Sequence, residues 1–111
     1  MKDTAAALAK DYVIIEIDVD RMPQGKAVAD GLTGGKQVGY PWTVILDAEN
    51  SILITSDAPE GNIGCPVEET ECAWFLKMID ATRRHMDDAD RAAIARDLAE
   101  RAAAIKAARQ R

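Results

Sequence analysis

The sequence predicts an α/β domain in which strand, helix, strand, strand and helix follow one another, with one more helix at the C-terminal end. Three observations carry that expectation. Residues 12–19 (YVIIEIDV) are a β-branched run; residues 42–47 (WTVILD) and 51–55 (SILIT) are short apolar runs set three residues apart; and residues 67–108 repeat apolar side chains at helical spacing. A chain of 111 residues, 48% hydrophobic and 30% charged, has the size and make-up of one compact unit. It divides into residues 1–86 and an appended helix over 87–111, which either joins the same unit or reaches a second chain.

Residues 3–10 read as a short alanine-rich helical turn. The run that follows opens with Tyr12-Val13-Ile14-Ile15, continuous enough to suit a parallel strand covered on both faces. From Val13 on, the odd positions Val13, Ile15, Ile17 and Val19 are apolar while Glu16, Asp18 and Asp20 are acidic, so the far end of the strand has one wet face. Residues 25–33 (GKAVADGLT) make about two turns of helix, and Gly34, Gly35 and Gly39 break the pattern ahead of Tyr40-Pro41. Residues 42–47 and 51–55 form a hairpin, with Asp47 suited to open its turn. Residues 57–66 read as a loop. A helix is expected over 67–84, with Pro66 suiting its first turn and Cys72, Phe75, Leu76 and Ile79 on one buried face. The last helix starts at Asp87 or Asp88 and runs to residue 108 behind a narrow stripe of Ile94, Leu98, Ala102 and Ile105. Its cations Lys106, Arg109 and Arg111 complement the helix dipole.

Charge and residue inventory narrow the function. A net charge of −5 and a pI near 4.8 disfavour nucleic acid, since phosphate binding needs clustered Lys and Arg. Arg91, Arg96, Arg101 and Lys106 recur every five residues and wind around a helix instead of lining one side of it. No window reaches the roughly 18 apolar residues that cross a bilayer, and residues 1–10 lack the apolar stretch of a secretory signal, so a cytoplasmic protein without a membrane partner is expected. The glycines around Gly34-Gly35-Lys36 fail the phosphate-loop pattern at Asp30 and at Gln37. Cys65 and Cys72 have neither redox-pair nor zinc-knuckle spacing, and both are expected to stay reduced. Asp18 and Asp20 read as solvated acids, His85 as a surface residue, and no metal or cofactor is expected.

Tyr40-Pro41-Trp42 is the informative tripeptide. A proline directly ahead of a β-branched strand donates no ladder hydrogen bond, so it marks where the strand begins, and X-Pro is the bond at which a cis peptide is tolerated. The strings DVDRMPQGKAV, GYPWTVILDAENSILITSD and GNIGCPVE, in that order, resemble a bacterial subgroup of the thioredoxin family over about residues 3–82. The resemblance implies a truncated thioredoxin-like βαββα sheet, with Pro41 as the cis-proline that faces the redox site. It makes Tyr40 the position whose backbone meets an extended substrate, with Trp42 beside it.

The same resemblance exposes an absence. The family's Cys-x-x-Cys follows a central strand that this sequence does not contain, with residues 3–10 in the place of the tail of the redox helix, and neither Cys65 nor Cys72 maps onto the motif. In the family that strand lies between the counterparts of residues 12–19 and 42–47, so the gap would expose Val13, Ile15, Val44 and Leu46 and leave backbone groups unpaired. Three repairs are open: direct pairing of the two flanking strands, a second copy, or a strand from a different chain. The expectation is a non-catalytic thioredoxin-like remnant that acts as an interaction or assembly module and forms a homodimer. The alternative is thiol–disulfide chemistry, through Cys65 and Cys72 or in a fragment of a longer thioredoxin-family protein.

Overall fold

The computed structural model describes residues 2–110. Its elements are α1 (Lys2–Leu8), α2 (Gly25–Thr33), β1 (Val44–Leu46), β2 (Ile52–Thr55), β3 (Asp57–Ala58), β4 (Gly61–Asn62), α3 (Glu69–Thr82) and α4 (Asp88–Arg109). The protein is therefore mixed α and β, but its strands form two separate two-stranded antiparallel sheets, β1 with β2 and β3 with β4.

The core is helical. Ala7 of α1, Ile79 of α3, Met86 of the α3–α4 connection and Ile94 and Leu98 of α4 make one buried cluster, with Leu8, Tyr12, Cys72, Phe75 and Leu76 packed against it. The stripe expected on α4 is thus turned into the same compact unit, Ile94 and Ala102 included, with Ile105 half-buried at its end. Alanine-rich faces let α1 lie close along α4, where the Thr4 hydroxyl donates to Asp97 and Lys10 pairs with Asp90 at 2.8 Å. Asp87 caps α4 by accepting from the Asp90 amide at 2.8 Å, and Asp90 answers by accepting from the Asp87 amide at 3.1 Å.

One side chain joins α1 to the turn between α3 and α4. The Asp11 carboxylate, whose side chain is 4% exposed, accepts the backbone N–H groups of Arg84 (3.0 Å), His85 (2.9 Å) and Met86 (2.8 Å), and His85 Nδ1 stands 2.9 Å away. Next to it, the Tyr12 phenol shares a hydrogen bond with the Thr82 hydroxyl of α3.

The β1–β2 hairpin follows the sequence closely. Asp47 opens the turn by accepting from Glu49 N and Ser51 N, both at 2.9 Å, and Asn50 takes a left-handed conformation at φ 64°. Val44 pairs Thr55, Ile45 pairs Ile54 and Leu46 pairs Ile52, with an irregularity after Ile45.

Four expectations need correction. First, residues 12–19 form no strand. Among the described residues, no backbone group of residues 13–17 is hydrogen bonded to another part of the chain, and a strand exists only against a neighbour. The expected βαββα sheet is therefore absent, and direct closure of residues 12–19 onto 42–47 is not the arrangement adopted. Second, the hairpin strands are shorter than 42–47 and 51–55, because pairing runs only from Val44 to Leu46 and from Ile52 to Thr55. Third, residues 57–66 are not a plain loop, since Asp57 pairs Asn62 and Ala58 pairs Gly61. Fourth, α3 starts at Glu69 instead of 67, leaving Pro66 ahead of its cap. The Glu71 carboxylate accepts the amides of Val67 (3.0 Å) and Glu68 (2.9 Å) and so stops the helix there.

Without a sheet to lie on, residues 13–33 bury little. Val13 is 90% exposed, Ile14 64% and Ile15 77%, and Met22 and Val28 are about half exposed. The stretch is nonetheless shaped. Asp18 Oδ1 accepts the amides of Asp20 and Arg21 at 3.0 Å. A Cβ on Gly25 would come within 2.4 Å of the Asp18 carbonyl oxygen, so only glycine lets α2 begin this close to the turn.

The Asp11 contact sets an acid limit on stability. Burial by itself would raise the carboxyl's pKa, but hydrogen bonds from the backbone of Met86, His85 and Arg84 outweigh it and hold the group well below its ordinary 3.8. A folded pKa below the unfolded one gives stabilisation that is complete above pH 3.8 and is lost as pH falls toward the folded value. Asp11→Asn is expected to lower the urea midpoint at pH 7, with the gap to the parent narrowing as pH drops through 4 and below; urea titrations at a series of pH values check it.

Candidate functional site

Two features are left without a strand beside them. One is the free segment 13–17 just described. The other is the turn ahead of β1, where Tyr40 is 64% exposed, Pro41 is exposed, Trp42 is half-buried and the Tyr40–Pro41 peptide is cis. β1 pairs with β2 alone, so its other edge has no strand beside it.

The turn is held from the β3–β4 hairpin. Asn62 Nδ2 donates to the carbonyls of Gly39 (2.7 Å) and Pro41 (3.0 Å), bracketing Tyr40 on both sides. Its Oδ1 accepts from the Ser56 hydroxyl at 2.7 Å and from the Gly64 amide at 3.2 Å. Ser56, 1% exposed, takes the Thr43 amide on its hydroxyl at 2.9 Å and sends its own amide to the Thr43 carbonyl at 2.8 Å. The Trp42 indole N–H donates to Asp57 Oδ2 at 3.0 Å. Tyr40 is thus presented outward on a backbone fixed on both sides. Sequence reasoning missed Ser56, Asn62 and Asp11, each of which works through hydrogen bonds to residues distant in the chain that no local pattern announces.

The thiols lie elsewhere in role. Cys65 and Cys72 are both free. Cys65 is exposed and follows Gly64, where a Cβ would meet Pro41 Cδ at 3.9 Å. Cys72 is half-buried on α3, its Sγ 3.9 Å from the Val67 carbonyl, and burial, reinforced by the neighbouring Glu71 charge, pushes its pKa up. A thiol moved that way is a poor nucleophile at neutral pH.

An open groove of about 240 Å³ beside β3 and β4 is lined by Pro59, Glu60, Trp74 and Lys77 among others, with the Lys77 ammonium 5.0 Å over the Trp74 ring. Among the described residues there is no cluster of three His, Cys, Asp or Glu side chains able to hold a metal ion, and no helix long and apolar enough to cross a membrane. Comparison with protein-family models, with curated proteins and with solved structures returns no match.

Ser56→Ala is expected to cost about 0.5–1.5 kcal/mol for each hydrogen bond lost, because it removes the partner of the Thr43 amide and of Asn62 Oδ1 in a part-buried place. Chemical denaturation measures it, and the Tyr40 ring signals should shift with the loosened turn.

Proposed function

We propose that this chain is a non-catalytic, thioredoxin-like interaction module that self-associates by adding a strand beside residues 13–17. The observation that carries the reading is the segment from Val13 to Ile17, in which Val13, Ile14 and Ile15 are exposed, Ile17 is half-buried and the backbone groups are unpaired. Burying a Val or Ile side chain that stands in water is worth about 1.5–3 kcal/mol, and each added backbone hydrogen bond about 0.5–1.5 kcal/mol net. The helical core supplies a rigid mount, since just ahead of the segment Asp11 is held at the α3–α4 turn and Tyr12 at Thr82 of α3. Tyr40 and the turn before β1 form the second surface that an incoming extended chain would meet.

A cytoplasmic setting agrees with two free thiols. Thiol–disulfide chemistry is the lesser reading. Its support is the exposure of Cys65, and the raised pKa of Cys72 leaves Cys65 without an activated second thiol.

Light scattering coupled to size exclusion, over a concentration series, tests the assembly. A mass of twice the 12.0 kDa chain, falling toward the single chain on dilution, is the expected result. Ile15→Asp is expected to shift the protein to the single-chain mass with its helical circular dichroism intact. A single-chain mass at every concentration overturns the proposal.

A further inference from the structure

Charge and the ends of the free segment specify how a second copy pairs. We infer that residues 13–17 of two copies pair antiparallel about a two-fold axis through Ile15. This rests on the assembly reading above and goes beyond it by naming the partner segment and its register.

Parallel, in-register pairing sets Glu16 beside Glu16, with Asp18 and Asp20 beside their own copies, and like charges placed opposite one another destabilise a strand pair. Antiparallel pairing avoids this only in some registers. With the axis at Ile15, Val13 faces Ile17, Ile14 faces Glu16 and Ile15 faces itself, so no carboxylate meets another. The odd positions of both copies then share one face, and it is wholly apolar. An axis at Glu16 puts that carboxylate against its own copy, and an axis at Ile17 puts Glu16 against Asp18. Axes that fall between residues join the apolar face of one copy to the acidic face of the other, since a one-residue slip reverses every side chain.

The structure excludes the remaining shifts. An axis at Ile14 or Val13 draws Tyr12 or Asp11 into the ladder, but the amides of both already donate to the Leu8 carbonyl, at 2.9 and 3.1 Å, and their side chains are held by Thr82 and by the amides of residues 84–86. At the other end Asp18 turns the chain by accepting the amides of Asp20 and Arg21. What lies free between these anchors is residues 13–17, and Ile15 is its midpoint.

Cross-linking tests the register. In a Cys65→Ser, Cys72→Ser background, Ile15→Cys places two thiols directly opposite, within disulfide range of a strand pair. Val13→Cys alone leaves its two copies about 14 Å apart along the ladder, beyond bridging. Mild oxidation is expected to give a covalent dimer from Ile15→Cys, none from Val13→Cys, and one again when Val13→Cys is mixed with Ile17→Cys. A dimer by light scattering with no Ile15→Cys product, or with an equal Val13→Cys product, overturns this register and leaves the assembly reading standing. A single-chain mass overturns both.

Discussion

The Asp11 carboxylate divides this molecule into a finished half and an unfinished one. By taking three consecutive amides at the α3–α4 turn it fastens the end of α1 to the two long helices, and Ala7, Ile79, Met86, Ile94 and Leu98 close behind it. Helices α1, α3 and α4 meet in this one cluster. The next residues leave that cluster with Tyr12 as the last contact, so the direction and starting point of segment 13–17 are fixed although the segment itself touches little.

A strand is a relation between two segments, and that makes the exposed run a constraint on function. Helices satisfy their backbone groups within themselves, which is why α1, α3 and α4 stand complete. Residues 13–17 carry the composition of a buried strand without a neighbour, and β1 likewise has no strand on its second edge. Exposed apolar strands unprotected by proline or lysine are the surfaces on which chains associate. In the proposed assembly, Glu16, Asp18 and Asp20 would penalise parallel stacking and tolerate an antiparallel pair.

Local chemistry was legible in the sequence wherever the structure is local. Asp47 at the hairpin turn, Asp87 as the cap of α4 and the stripe through Ile94 and Leu98 all declare themselves by side-chain type and spacing. Residues 12–19 show the opposite case: their period and β-branching are those of a strand, but pairing depends on a neighbour that the chain does not provide. The β3–β4 hairpin has only two residues in each strand and no apolar alternation to reveal it. The lock on Tyr40 is a tertiary network in which Asn62 reaches back to Gly39 and Pro41, so the exposed tripeptide could be picked out in advance while the residues that hold it could not.

Amide hydrogen exchange over residues 13–17, followed by nuclear magnetic resonance at high and low protein concentration, tests the central claim most directly. The account requires alternate amides in this segment to be protected at high concentration and to reach free-chain rates on dilution, while the core amides of α3 and α4 stay protected throughout. Free-chain exchange at every amide from Val13 to Ile17, at every concentration, would contradict it.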